Sequence, residues 1–299
     1  MGESDFTIDY RNILFYNVPM KKNEKKKTDM PPFVYGTAWK EGATTRLVKA
    51  AISAGFTGID TANQPKHYRE SLVGDALAAL SEEGIPRDTL FLQTKFTPAD
   101  GQDHRIPYDP AGDLTTQVRR SFEVSLENLR TDYVDSYLLH GPYSWAGLGT
   151  SDWEVWHAME NICKSGKAGI IGISNVNIGQ LAALTGKAEI KPMVVQNRCF
   201  ASQGWDRTVR EFCRANGIVY QGFSLLTANG FVLNDPGVAR IARRLGKTAA
   251  QVILRFALQV GMVPLTGTTD ERHMKEDLQA LDFELTADEV EFIDKIGSR

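Results

Sequence analysis

The chain has 299 residues, is 42% hydrophobic and 24% charged, and carries a formal net charge of −3. This is the make-up of a globular protein long enough for one large domain, and its charge gives no reason to expect nucleic acid or an acidic membrane surface as partner. Cys163, Cys199 and Cys213 are too few for a disulfide framework, no run approaches the ~20 apolar residues of a membrane span, and the opening MGESDFT lacks the apolar core of a signal peptide, so a cytoplasmic protein is expected.

In chain order, residues 6–19 hold two strand-like pieces, FTIDY and ILFYNV, which read as a β-hairpin. The stretch 20–30 follows, with the dense basic run KKNEKKK; lacking interleaved aromatics, it reads as a flexible solvated loop. Eight short apolar runs then recur: FVYGTA (33–38), GFTGID (55–60), TLFLQTK (89–95), YVDSYLLH (133–140), AGIIGIS (168–174), PMVVQN (192–197), IVYQGFS (218–224) and MVPLTG (262–267). Several are β-branched or aromatic and nearly continuous in apolar character, as parallel strands buried on both faces should be.

Helical patterns lie between them. Residues 44–55 place Leu47, Ala50, Ala51 and Ala54 on one face, and 113–130 repeat Leu114, Val118, Phe122, Leu126 and Leu129 at three- and four-residue steps. A helix over 152–167 is expected behind Ser151 as N-cap, stopping at Gly166, and another over 206–217 ends on Gly217. Two further helices are expected near the C-terminus, over 248–261 and over 286–297, the second with Thr286 and Glu289 in capping-box spacing.

Eight strand–helix units over this length predict a single-domain α/β fold spanning 1–299, a (β/α)8 TIM barrel with an N-terminal hairpin and extra C-terminal helices. The rival, a doubly wound open sheet, usually shows a glycine-rich phosphate loop after its first strand. No GxGxxG, P-loop, GxSxG or HExxH motif occurs.

Barrel chemistry sits at the C-terminal strand ends. Those ends carry Gly36-Thr37, Asp60, Lys95, His140, Ser174-Asn175, Gln196-Asn197, Phe223-Ser224 and Gly267-Thr268. Alone, a strand-end Lys is usually a surface residue and a strand-end Asp a turn cap. Asp60, Lys95 and His140 on successive strands of a barrel would instead point into one bowl. The histidines lack metal-ligand spacing, so no metal is expected. One reading makes Lys95 a Schiff-base nucleophile of an aldolase, which leaves Ser174, Asn175 and Gln196 without a role. Another makes Tyr68, in the loop TANQPKHY after Asp60, a general acid. A free phenol titrates at about 10, and a neighbouring Lys ammonium held by Asp60 is expected to lower that value.

The markers YGTAWK (35–40), GIDTA with Tyr68, Glu70 and Val73-Gly74 (58–74), LQTKF (92–96), YVDSYLLHGP (133–142), GISN (172–175), VQNRCF (195–200), FSLL (223–226) and VPLTGTTDER (263–272) together resemble the aldo-keto reductase family. The resemblance implies reduction of an aldehyde or ketone by hydride transfer, with NADPH, or NADH as the alternative. It implies a catalytic tetrad of Asp60, Tyr68, Lys95 and His140. It places Ser174, Asn175 and Gln196 on the nicotinamide carboxamide and Phe223 on its ring, with Thr37, Asp60, Ser224, Leu226, Gly267, Thr268 and Arg272 completing the cofactor site. Trp39, Tyr143 and Trp145 would line a pocket for a small-molecule carbonyl. A monomer or weak oligomer is expected, and a cofactor-holding regulatory subunit with little turnover is the non-enzymatic alternative.

The chain departs from the family pattern in three places. Phe223 stands where a stacking Tyr is usual, and no Lys precedes Arg272 after the last strand. The loop from Asp60 to Tyr68 is also longer than usual, so counting back from Val73-Gly74 lands on His67, whereas residue type selects Tyr68. Lys66 and His67 are expected on the pocket rim or in water.

Overall fold

The computed structural model describes residues 29–298. Eight strands, β1 (Val34–Gly36), β2 (Gly58–Asp60), β3 (Phe91–Phe96), β4 (Val134–Leu139), β5 (Ala168–Ser174), β6 (Val194–Arg198), β7 (Val219–Phe223) and β8 (Met262–Thr266), pair in parallel and close into a barrel. Each falls on one of the apolar runs, with β3 and β6 reaching one residue past it, to Phe96 and Arg198. Closure is made by β8 against β1, with Val34 opposite Leu265 and Tyr35 opposite Thr266. The hairpin expected over 6–19 and the basic run over 21–27 lie outside the described residues.

The helices are α1 (Thr44–Ala54), α2 (Glu70–Glu82), α3 (Leu114–Leu129), α4 (Thr150–Lys164), α5 (Ile178–Lys187), α6 (Arg207–Ala215), α7 (Gly230–Leu233), α8 (Pro236–Leu245), α9 (Ala249–Gln259), α10 (Glu271–Leu278) and α11 (Ala287–Asp294). Asp113 caps α3 by accepting from Thr116 N at 2.8 Å. The capping box at Thr286 and Glu289 forms as expected, and a second one, Thr248 with Gln251, opens α9. Helix α4 corrects one expectation: its N-cap is Gly149, not Ser151. The Asp152 carboxylate accepts from Gly149 N at 2.8 Å and from Tyr143 N at 2.9 Å, and this pulls the helix start back toward the loop. None of the described helices is long and apolar enough to cross a membrane.

Strand alternation divides the core in two. Leu92, Phe96, Tyr137, Leu139, Ile171, Ile173 and Val195 are buried, and by alternation they face the helices. Tyr137, for example, meets Phe122 of α3 edge-on at 4.7 Å. The other parity points into the barrel, and on β3, β6 and β7 it carries Gln93, Lys95, Gln196 and Gln221. Helices α2 and α3 pack closely because position 74 is glycine: a Cβ there would stand 2.0 Å from the Asn128 carbonyl oxygen.

Candidate active site

Asp60 ends β2, and register sets it beside Gln93 on β3, two residues before Lys95. Lys95 is fully buried. Its Nζ donates to Asp60 Oδ1 at 2.6 Å, to Asp60 Oδ2 at 2.7 Å and to the Thr61 carbonyl at 2.8 Å. All three N–H groups are thus committed. Burial pulls the Lys95 pKa down, and the Asp60 charge opposes that pull; a two-oxygen contact this short keeps the group an ammonium.

Asp60 is also held from across the barrel. Gln93 Nε2 donates to its Oδ1 at 2.7 Å, and Gln196 Nε2 does so at 3.1 Å. Both amides also donate to Gln221 Oε1 at 2.8 Å. Gln93 and Gln221 are absent from the sequence reading. The signal was there: each is an amide inside an apolar strand, at the parity of Lys95 or Gln196.

The long loop after β2 is pinned rather than loose. Asn63 Nδ2 donates to Ser121 O and Gln64 Nε2 to Gly101 O, both at 2.7 Å. The N–H groups of His67 and Tyr68 both turn back onto Gln64 O at 3.0 Å. Tyr68 thereby returns over the ion pair: Lys95 Nζ lies 5.3 Å from its ring centroid, and the His140 ring centroid is 6.0 Å away at 67°. His67 turns elsewhere, its ring 3.9 Å from the Trp39 indole and its Nδ1 3.0 Å from Gln64 Oε1. Lys66 is exposed.

One electrostatic expectation is overturned. The Tyr68 phenol is pushed up, not down, first by burial and then by the Asp60 charge. The physical reason is desolvation: a buried phenol resists becoming a phenolate, and the Asp60 carboxylate adds to that resistance. His140 is pulled down to about 3, first by burial and then by Lys95, so its imidazole is neutral at ordinary pH.

Around this centre, Ser174 Oγ donates to Gln196 O at 2.7 Å, and Asn175, at a positive φ of 54°, donates through Nδ2 to the His140 carbonyl at 2.8 Å. Thr37 spends its hydroxyl on the Asp60 carbonyl at 2.9 Å. Phe223, Ser224 and Leu226 stand half-buried along the β7 end. Asn229 braces that loop through the carbonyls of Cys199 and Leu225, each at 2.9 Å. At the β8 end, Gly267 O accepts from Lys40 Nζ, and Thr268 O accepts from Tyr35 Oη at 2.9 Å. Arg272 is exposed, 3.9 Å from Glu276, while Asp270 caps α10 by accepting from Arg272 N at 2.8 Å.

The aromatic wall is uneven. Trp39 and Trp145 are exposed, at 67% and 75%, whereas Tyr143 is partly buried against the core. Arg198, unforeseen in the sequence reading, stands exposed at the mouth with its guanidinium carbon 5.7 Å from the Phe223 centroid and 5.9 Å from that of Phe200. A cleft of about 830 Å³ between Arg87, Leu126, Arg130 and Tyr133 lies at the strand starts, the opposite end from barrel chemistry.

The arrangement fits a reduced nicotinamide. Among the described residues, Gln196 Oε1 and Asn175 Oδ1 have no hydrogen-bond donor and are available to a carboxamide, and Phe223 offers an aromatic ring. Comparison with known proteins agrees. The model of the Aldo/keto reductase family matches residues 35–298. The chain is 34% identical to the glyoxal reductase of Bacillus subtilis over 271 residues, 90% of each chain. It is 35% identical to deoxymugineic acid synthase 1 of Zea mays over 84% of this chain and 82% of the other. The aldose reductase structure from Schistosoma japonicum superposes with a TM-score of 0.76 at 26% identity, covering 89% of this chain and 88% of that one.

Proposed function

Because the chain belongs to the aldo/keto reductase family, whose members are oxidoreductases acting on carbonyls, we propose that it reduces an aldehyde or ketone with NADPH, using Tyr68 as the general acid. The observation that carries this reading is the convergence of Tyr68 and His140 over the buried Asp60–Lys95 pair.

When bound, the reduced nicotinamide supplies a hydride to the carbonyl carbon. Tyr68 then gives its phenolic proton to the carbonyl oxygen. A phenol pushed up in pKa stays protonated and ready at neutral pH. An alcohol is a still weaker acid, so the transfer remains downhill. Lys95 stabilises the tyrosinate left behind, and Asp60 keeps Lys95 charged and in place. Neutral His140 orients the carbonyl oxygen toward Tyr68. Ser174, Asn175 and Gln196 hold the carboxamide, and Phe223 backs the ring.

An exposed Arg272, its guanidinium 3.9 Å from Glu276 and 3.2 Å from His273 Nε2, supports NADPH over NADH, since a guanidinium recognises a 2′-phosphate directly. Thr268 and Gly267 border the same place. Trp39, Tyr143 and Trp145 make the substrate wall, and glyoxal is the first carbonyl to assay because a relative carries that activity in its name. Titration with NADPH and NADH, followed by quenching of tryptophan fluorescence, should show tighter NADPH binding that Arg272→Ala weakens selectively. The decisive test is Tyr68→Phe. A variant that binds NADPH normally and keeps wild-type turnover removes Tyr68 from the acid role.

The Schiff-base reading of Lys95 loses support from its three hydrogen bonds, since a nucleophilic amine needs a free lone pair. Borohydride trapping on Lys95 would restore it.

A further inference from the structure

Thr97 is one residue beyond β3, and His140 is one residue beyond β4. In the β3–β4 register Lys95 faces Leu138 and Phe96 faces Leu139, so continuing the pairing sets Thr97 against His140. Their side chains share the inward parity of Lys95. Thr97 is buried at 2% exposure, and its Oγ1 lies 2.7 Å from His140 Nδ1.

The geometry points to Thr97 as a positioning residue that donates its hydroxyl proton to His140 Nδ1, so that the imidazole carries its own proton on Nε2 and presents a donor to the substrate carbonyl. This rests on the proposed reduction for its consequence, but the tautomer itself is a property of the free protein.

Three observations lead there. First, a neutral imidazole has one N–H and one lone pair, and the partner of one nitrogen decides what the other offers. Depression of the His140 pKa agrees with a neutral ring. Second, the Thr97 hydroxyl has no other hydrogen-bond partner among the described residues, so Nδ1 is the acceptor open to its proton. Third, Thr97 is held against rotation. Its backbone carbonyl accepts from Tyr108 Oη at 2.6 Å and from Gln102 Nε2 at 3.3 Å, and its methyl packs so closely on Gly101 that a Cβ there would stand 2.8 Å from it. His140 is framed equally well: its backbone N donates to Phe96 O at 2.8 Å, and its carbonyl accepts from Asn175 Nδ2 at 2.8 Å. With backbones and rotamers fixed, the remaining freedom is the proton. The opposite tautomer would aim a lone pair at the carbonyl oxygen and repel it.

Histidine-labelled 15N NMR of the cofactor-free protein reads the tautomer directly, with the His140 signal identified by its loss in His140→Gln. The wild-type protein and Thr97→Ser should show Nε2 protonated and Nδ1 bare. Thr97→Val, which keeps the shape and deletes the hydroxyl, should shift His140 toward the Nδ1–H form. Its kcat should fall about ten- to a hundredfold, the range typical for losing a group that fixes a histidine ring, with KM little changed and Thr97→Ser close to wild type. A wild-type spectrum with the proton on Nδ1 overturns the proposal even if Thr97→Val fails to fold. So does a Thr97→Val protein that keeps both the Nε2–H signal and the wild-type kcat. If Tyr68→Phe retains turnover while the tautomer still follows the residue at position 97, the acid assignment has failed and the tautomer control stands.

Discussion

At the scale of residues, adjacent His67 and Tyr68 are separated by what each one faces. His67 is spent on Trp39 and Gln64 at the rim, and Tyr68 lies over Lys95. Replacing Tyr68 by Phe should lower kcat by about 10²–10⁴, the usual contribution of a general acid. Replacing His67 by Ala should leave kcat within a few-fold and change mainly KM, both read from steady-state turnover on one aldehyde. The convergence of Asp60, Lys95 and His140 was legible in the sequence because polar residues ending successive strands of a barrel share one rim. The sign of the Tyr68 shift was not, because it depends on how deeply the folded loop buries the phenol beside Asp60. Spacing along the chain does not encode that burial.

At the scale of elements, the loop after β2 and helix α2 behave as one unit docked on α3. Glu70 opens α2 and is buried, accepting from Thr94 Oγ1 on β3 at 2.5 Å and from Ser125 Oγ on α3 at 3.2 Å. Burial raises its pKa from 4.5 to about 7, against those hydrogen bonds. Between these values the folded state binds more protons than the unfolded chain, so this carboxyl's contribution is fully present below the unfolded value and is lost as pH rises toward 7. The loss is on the order of 3 kcal/mol across that window. Urea unfolding of Glu70→Gln against wild type at pH 5 and pH 7.5 should show a flatter pH dependence in the variant; parallel curves would contradict it. The α2–α3 contact itself should fail in Gly74→Ala, because the new methyl meets the backbone at Asn128. A loss of about 3 kcal/mol in unfolding free energy, the upper part of the overpacking range, is expected from urea denaturation. The docking was not legible in the sequence: Glu70 and Gly74 belong to the family pattern there, but nothing in it says that they meet α3. The strands were, since a continuous apolar run between turn residues fits a doubly buried parallel strand and little else.

At the scale of the whole molecule, the barrel interior carries a polar layer where an apolar one would be more stable. Asp60, Lys95, Gln93, Gln196 and Gln221 join β2 and β3 to β6 and β7 through hydrogen bonds that cross the axis. Desolvating an ion pair costs several kcal/mol per ion, so such a pair is weak evidence of stabilisation, and the proposed reaction gives it a reason to stand there. Lys95→Met should therefore cost about 3–5 kcal/mol, because Asp60 is left charged and buried without its cation. Adding Asp60→Asn to Lys95→Met removes the stranded charge while leaving an amide to meet Gln93 and Gln196. The double variant should recover a large part of the lost stability yet remain inactive. Urea denaturation and turnover, measured on the same preparations, check the two halves separately. If the double variant is as unstable as the single one, the network is held by something other than charge compensation. If it regains turnover, the pair is not part of the acid machinery. The expected pattern, stability restored and activity absent, would show that the fold tolerates losing this pair and the reaction does not.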